Sequence, residues 1–361
     1  MKQKFFFKVA SVIGMAVFFI FLSGVGLCET ESKLPKIITI ASYPTGSLAS
    51  MFVIAHGKVI KDLTGIRARA YPADTGIARL GPARAGDAAL TIVGSDAYFA
   101  INGLHEFAAK KWGPQKLRTV WGSSQIMSGM IVRGDSGIKS IADVKGKRVV
   151  ACTGSPKVTK SVEAILAFGG LTWDDVIRTE CPGYVGCIKA LLDGSVDVSW
   201  AGHASSVLKE LEASIHGLRW IPLPHDNKEG WARFHKISPQ FIQGILSPGW
   251  PGVGKKPIQL AASPYYYMAY PIIDANLIYT IVKALDEGYK DSKGAAPLIG
   301  ELNFKRTLTP SLMHPAPYHE GVIRYAKEKG KWTPELEKFQ QGALKAEEER
   351  IKAWKAKISK K

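Results

Sequence analysis

Thr153, Ser155 and Lys157 are the residues whose types and spacing point most directly to chemistry. Arg148–Cys152 is an apolar run that reads as a strand. Thr153-Gly154-Ser155 turns the chain, and Ser155 with Pro156 makes an N-cap and first-turn pair. The helix that follows reaches about Phe168, with Val158, Val162, Ile165 and Leu166 on one face, and Gly169-Gly170 stops it. A helix opening at a strand end presents unpaired N–H groups, which favour an anion. Hydroxyls and amides there can hold a carboxylate or sulfonate, and Lys157 can supply the charge. The competing reading is plain capping by Ser155, with Lys157 pointing to solvent.

Three other turns have the same form, near Ser47, Asp96 and His203. Ile37–Ala41 reads as a strand, and Ser47 caps a helix from Leu48 to about Leu63. Ile66–Tyr71 and Ala88–Val93 are further strands, each followed by a helix, and Val196–Trp200 leads to a helix after His203. Regular strand–loop–helix alternation implies mainly parallel sheets covered on both faces, and in such sheets ligands sit at the strand ends. Tyr43, Tyr98, Trp121, Trp200 and Tyr267 are candidate walls of an apolar pocket, though most aromatics at strand ends are core. Ile258–Tyr270 is an apolar and aromatic return strand, Ala275–Glu287 and His319–Lys329 are helices, and residues 334–358 form a charged terminal helix. Residues 224–257 are rich in Pro, Gly and Trp and read as irregular.

The chain has 361 residues, enough for two lobes with their own cores. Its formal charge is +17, and removing Lys2, Lys4 and Lys8 of the leader leaves about +14. The cations are scattered and densest at the C-terminus, which favours a basic surface and tail over nucleic-acid binding. Residues 1–28 read as an export signal, with those three lysines before the apolar run Val9–Phe21. The alternative is an uncleaved membrane anchor. Cys28 follows Leu27, a poor fit to a lipoprotein signal, which wants a small residue there. Cleavage and export would place the mature chain in an oxidising periplasmic space. Cys181 and Cys187 are then a possible disulfide, although spacing alone does not establish the geometry. Cys152 reads as a small buried hydrophobe. No nucleophile elbow, zinc spacing, phosphate loop or dinucleotide fingerprint occurs, so a binding protein without cofactor or metal is expected rather than an enzyme.

The string RGDSGIKSIADVKGKRV, residues 133–149, resembles the start of the second lobe in periplasmic solute-binding proteins of the type II fold. Together with ALLDGSVDVSWAG and HEGVIRYAKEKG in their order, it is most similar to the TAXI family, substrate receptors of one branch of TRAP transporters. The resemblance implies an α/β chain of two lobes, each a doubly wound mixed or parallel sheet, around a central ligand cleft. Lobe 1 would take residues 34–128 and 270–361, and lobe 2 residues 129–269. It also implies a small organic acid as ligand and a TRAP membrane permease as partner, with hinge bending near Met127–Met130 and Tyr267–Pro271. The ligand residues it implies are Ser42, Tyr43, Thr45, Gly46 and Ser47 in the first loop, and Asp74 and Thr75 in the second. Gly94, Ser95 and Asp96 follow in the third, then Thr153, Gly154, Ser155 and Lys157, then Trp200 and His203. Tyr43 stands where the family commonly has Gly, Leu48-Ala49 where it has a Tyr pair, and Gly94 where it has Gln. Other readings are a receptor of an ATP-driven importer, a sensing partner of a membrane kinase, and an enzyme of the same fold such as the pyrimidine synthases of thiamine biosynthesis.

Overall fold

The computed structural model describes residues 34–310 and 316–360; the export-signal reading of residues 1–28 and Cys28 lies outside them. β1 (Ile37–Ser42), α1 (Leu48–Thr64), β2 (Arg67–Pro72), α2 (Gly76–Ala85), β3 (Leu90–Val93) and α3 (Asp96–Asn102) alternate as the sequence pattern predicts. β2 and β3 both pair parallel to β1. Ser47 and Thr75 cap α1 and α2 through their hydroxyls, and Gly65 and Gly86 end them in the left-handed conformation.

The long strand β4 (Arg118–Arg133) then carries the chain to a second set of elements: β5 (Arg148–Cys152), α4 (Pro156–Phe168), β6 (Ile177–Cys181), α5 (Tyr184–Asp193) and β7 (Ser199–Gly202). After α6 (Val207–Ala213) and β8 (Leu218–Trp220) come α7 (Lys228–Ile237) and β9 (Ile242–Leu246). These last two lie within the stretch expected to be irregular. Trp231 and Phe234 of α7 are buried against Phe168 and Phe241, so tertiary burial secures a helix whose short apolar pattern is masked by flanking Pro and Gly. β10 (Ile258–Ala269) returns, followed by α8 (Ala275–Glu287), α9 (Tyr289–Ser292), α10 (Phe304–Thr307), α11 (Glu320–Glu328) and α12 (Pro334–Ile358).

β4 and β10 pair antiparallel from Arg118↔Ala269 to Ser128↔Ala261 and join two hydrophobic cores. Ile40, Phe52, Trp121, Ile126, Tyr267 and Ile281 belong to one core. Met130, Val150, Ile165, Trp220, Phe234 and Leu260 belong to the other. β10 thus passes between cores from Ala261 to Tyr265. This is earlier than the Tyr267–Pro271 crossing expected from sequence, because Tyr266–Tyr270 are buried on the first side. Pro264 fits there because β9 ends its pairing at Ala262 and β3 begins its own at Tyr266. Between them one edge of β10 is open, so the missing N–H breaks no ladder.

α12 is more than a solvated strap. Its Glu347 carboxylate accepts from both terminal nitrogens of Arg118 at 2.7 and 3.0 Å, and Gln340 bonds both main-chain groups of Tyr318. Both members of the ion pair are buried. Glu347→Gln is expected to lower unfolding stability by about 3 kcal/mol, since the buried Arg118 guanidinium keeps a bond to the amide oxygen and loses its counter-charge. Urea unfolding with an unchanged slope checks this.

Candidate functional site

Where β4 and β10 cross between the cores, the loops after β1, β2, β5 and β7 meet around a cavity of about 20 Å³, room for roughly one water. Tyr43, Ser47, Asp74, Ser155, Lys157 and Trp200, all named from sequence, line it. Tyr184, Ser205 and Tyr265, not named from sequence, complete the wall with Ile126 and Ala204.

Lys157 does not point to solvent; its exposure is 7%. Its ammonium lies 4.3 Å from the ring centre of Tyr43, 5.7 Å from that of Tyr265 and 5.9 Å from that of Trp200. Tyr43 and Tyr265 stack at 5.3 Å and 10°. Ring faces attract a cation, but they supply none of the lone pairs an ammonium has in water. Among the described residues Lys157 has no ion-pair partner. Burial pushes its pKa down to about 8, opposed by the Asp96 carboxylate and reinforced by Arg79. The Trp200 indole N–H is also buried without a hydrogen-bond partner. Ser155 lines the cavity, and its hydroxyl does not cap α4. Lys157, Trp200 and Ser155 thus line one space, with the opening turn of α4 beside them.

An ion pair lies behind Tyr43. Asp96, 2% exposed, pairs with Arg79, 1% exposed, and accepts the Tyr43 hydroxyl. The Gly94 N–H donates to both Asp96 and Tyr43 at 3.0 Å. Burial would raise the Asp96 pKa, but Arg79, Lys157, the Tyr43 hydroxyl and the Gly94 N–H together hold it at about 2. Arg79 also donates to the carbonyls of Ala73 and Asp74 at 2.9 and 2.7 Å. Its charge is therefore committed to the protein through direct bonds, whereas Lys157 acts on Asp96 only through space and has no direct ion-pair partner among the described residues.

The other sequence candidates have structural positions. Ser42 is buried with its hydroxyl on the Tyr43 carbonyl, and Thr75 caps α2. Ser95 is buried and caps nothing. Thr45 and Thr153 are exposed, the latter donating to the Cys181 carbonyl at 3.1 Å. His203 does not line the cavity; its ring meets Trp250 edge-on at 4.4 Å and burial lowers its pKa to about 4. Gly46 and Asp74 reach across between the cores: Ser206 donates to the Gly46 carbonyl at 2.8 Å, and the Asp74 carboxylate accepts from the Tyr184 N–H at 3.5 Å. The protein's own carboxylate therefore occupies the N-terminus of α5. Cys181 and Cys187 are free thiols, not a disulfide; the Cys187 thiol faces the Cys181 carbonyl at 3.9 Å, and Cys152 is free and buried beside them. Of the five aromatic candidates, Tyr43 and Trp200 reach the cavity, while Trp121 and Tyr267 are core and Tyr98 packs edge-on against Phe99.

Gly154 is fixed by close approach. A Cβ there would lie 2.0 Å from the Pro182 carbonyl oxygen, which is backbone and cannot swing away. Gly154→Ala should cost about 1–3 kcal/mol and push the Ser155–Lys157 turn away from α5. Thermal melting and ligand titration of this variant should both weaken; unchanged melting would mean the turn relaxes freely.

Tyr184, Ser205 and Tyr265 were missed because nothing local marks them. Tyr265 comes from the return strand and reaches Tyr43 only through the β3–β10–β4 register. Tyr184 and Ser205 share a short hydrogen bond, and the Gly202 N–H donates to the Tyr184 oxygen at 3.0 Å.

The fold is that of the two-lobed periplasmic binding proteins. It is similar to the structure of the periplasmic binding protein BugD, with a TM-score of 0.53 and 10% identity over 86% of this chain and 97% of that one. A structure described as a periplasmic transporter matches over the same shares, at a TM-score of 0.50 and 13% identity. Among the described residues no helix is long and apolar enough to cross a membrane, and no group of metal-ligating side chains gathers. The model of the NMT1-like family matches residues 60–330, and the chain belongs to that family.

Proposed function

We propose that this chain is an exported solute receptor that captures a small organic anion between its two lobes. The observation that carries the reading is the Lys157 ammonium, buried in an aromatic box without an acidic partner. A buried charge is costly unless paired, and a carboxylate or sulfonate entering beside it would supply the pair. The Trp200 N–H and the Ser155 hydroxyl would fix the anion's orientation, and the Tyr43 and Tyr265 rings would cover its apolar part. The small cavity and the cross-lobe contacts at Gly46 and Asp74 suit a closed conformer. Opening would bend β4 near Ile126–Met130 and β10 near Ala262–Tyr265, where each strand passes between cores. The TAXI-like motifs favour a TRAP-type permease as the membrane partner that takes the solute.

The test is a thermal-shift screen of the chain from Leu34 onward, refolded to strip carried ligand, against organic acids, amino acids, sulfonates and aromatic carboxylates. A ligand at about a hundred times its Kd adds about 2.7 kcal/mol, which raises Tm by about 4 °C for a chain of this size. No shift with any anion, and no small molecule in mass spectra of the unstripped protein, would overturn the reading.

A further inference from the structure

A second feature lies at the far end of the β4–β10 pair. Arg84, Trp112, Lys116, Tyr270, Trp354 and Lys355 lie around a surface pocket of about 370 Å³, with Ile272 and Ile351. Behind Trp354 a neighbouring pocket of about 350 Å³ is lined by Lys110, Lys357 and Ile358. Neither lining contains a carboxylate. Lys110, Lys116, Lys355 and Lys357 are exposed, and Ile272 is 68% exposed. The last turns of α12 supply the ridge between the pockets. Ile351, Trp354 and Ile358 follow helical spacing, with Lys352, Lys355 and Lys357 beside them.

The chemistry of the wall decides what this patch can take. Its buried polar groups satisfy one another: Tyr270 donates to Gln115, and Gln115 donates to the Trp112 and Gly113 carbonyls. Arg84 is spent on the Lys111 carbonyl and the Trp112 ring. No buried donor set is therefore aimed at a specific small molecule. What remains is flexible ammonium groups around Trp and Ile side chains, the composition that settles at a lipid–water boundary. There, lysines reach phosphates and indole rings sit at headgroup depth.

We infer that this pole of the protein, formed by the end of α12, the Lys110–Lys116 loop and the Tyr270–Ile272 turn, docks on an anionic lipid bilayer. The patch lies along β4 from the solute cavity, from Lys116 to Ile126, about 30 Å of extended chain at about 3.3 Å per residue. Docking there leaves the cavity free and is independent of the proposed solute.

The test is co-sedimentation of the chain from Leu34 onward, one compact unit, with phosphatidylcholine vesicles with and without phosphatidylglycerol, at low salt. Binding should require the anionic lipid. Lys116→Gln with Lys355→Gln and Lys357→Gln should weaken it about 100-fold, at about fivefold per basic residue near the surface. Lys209→Gln with Lys228→Gln and Lys236→Gln removes the same charge elsewhere and should leave binding within a few-fold. Equal loss in both triple variants would reduce the effect to net charge and overturn the inference. Absence of wild-type binding, or saturable binding of soluble glycerol phosphate without vesicle binding, would overturn it as well. All six lysines are exposed, so melting curves should stay unchanged and exclude misfolding.

Discussion

Lys157→Met is expected to abolish capture of an organic anion while making the protein more stable. The pKa of Lys157 falls from 10.5 to about 8 on folding, chiefly through burial. That shift corresponds to about 3.4 kcal/mol against the folded protein at neutral pH. Met has a similar volume, needs no counter-ion and suits an aromatic box. Tm should therefore rise by about 5 °C. The gain should be full below pH 8 and vanish as pH rises towards 10.5, where both folded and unfolded wild type lose the charge. The same substitution removes the ammonium that a bound anion would pair with, so affinity should fall at least about 100-fold. In the wild type, affinity should be flat below about pH 8 and decline above it as the lysine loses its proton. Calorimetric titration across pH 6–10 checks both. A variant that binds as well as wild type would remove Lys157 from the site. One that loses both binding and stability would mean that the lysine is structural.

Acid should unfold this protein steeply, well above the pH at which most carboxylates titrate. His56, His203 and His319 are buried, and burial lowers their pKa values to about 3, 4 and 4, from 6.5 in the open chain. Each folded pKa is depressed, so each contributes stability that is complete above about pH 6.5 and is lost as pH falls towards the folded value. Between those limits unfolding takes up about three protons, which costs about 4 kcal/mol per pH unit. That rate is large against a total stability of about 5–15 kcal/mol. His56 is the most telling. Its Nδ1 lies 3.0 Å from the Tyr267 hydroxyl, which burial keeps protonated, and no carboxylate is bonded to the ring. Urea unfolding at pH 7, 6 and 5 should show the loss, and His56→Gln should reduce the slope by about a third. A flat stability between pH 7 and 5 would show that these rings are open to solvent.

Features that depend on neighbours along the chain were legible before folding. Ser47, Thr75, Asp274 and Thr333 cap their helices through their own side chains, and Ser140 with Asp143 forms a capping box. These bonds span two or three residues, so composition alone fixes them. Strand–helix alternation gave the α/β class, because periodicity records which face each element buries, and the two lobes followed from the resemblance of residues 133–149. The wall of the cavity was legible only in part. Ser47, Ser155 and Lys157 announced themselves by position at helix starts, but so did Thr45 and Thr153, which the fold leaves exposed. Whether a hydroxyl beside a helix start faces the cavity or water depends on what packs opposite it, and that is set by strand register far away in sequence. Tyr265 reaches Tyr43 because β10 runs back between β3 and β4, and Lys157 is buried because Tyr43, Trp200 and Tyr265 close over it. Arg79 was invisible as the partner of Asp96 for the same reason: an ion pair between loops has no local pattern, only a desolvation cost that the folded chain must offset.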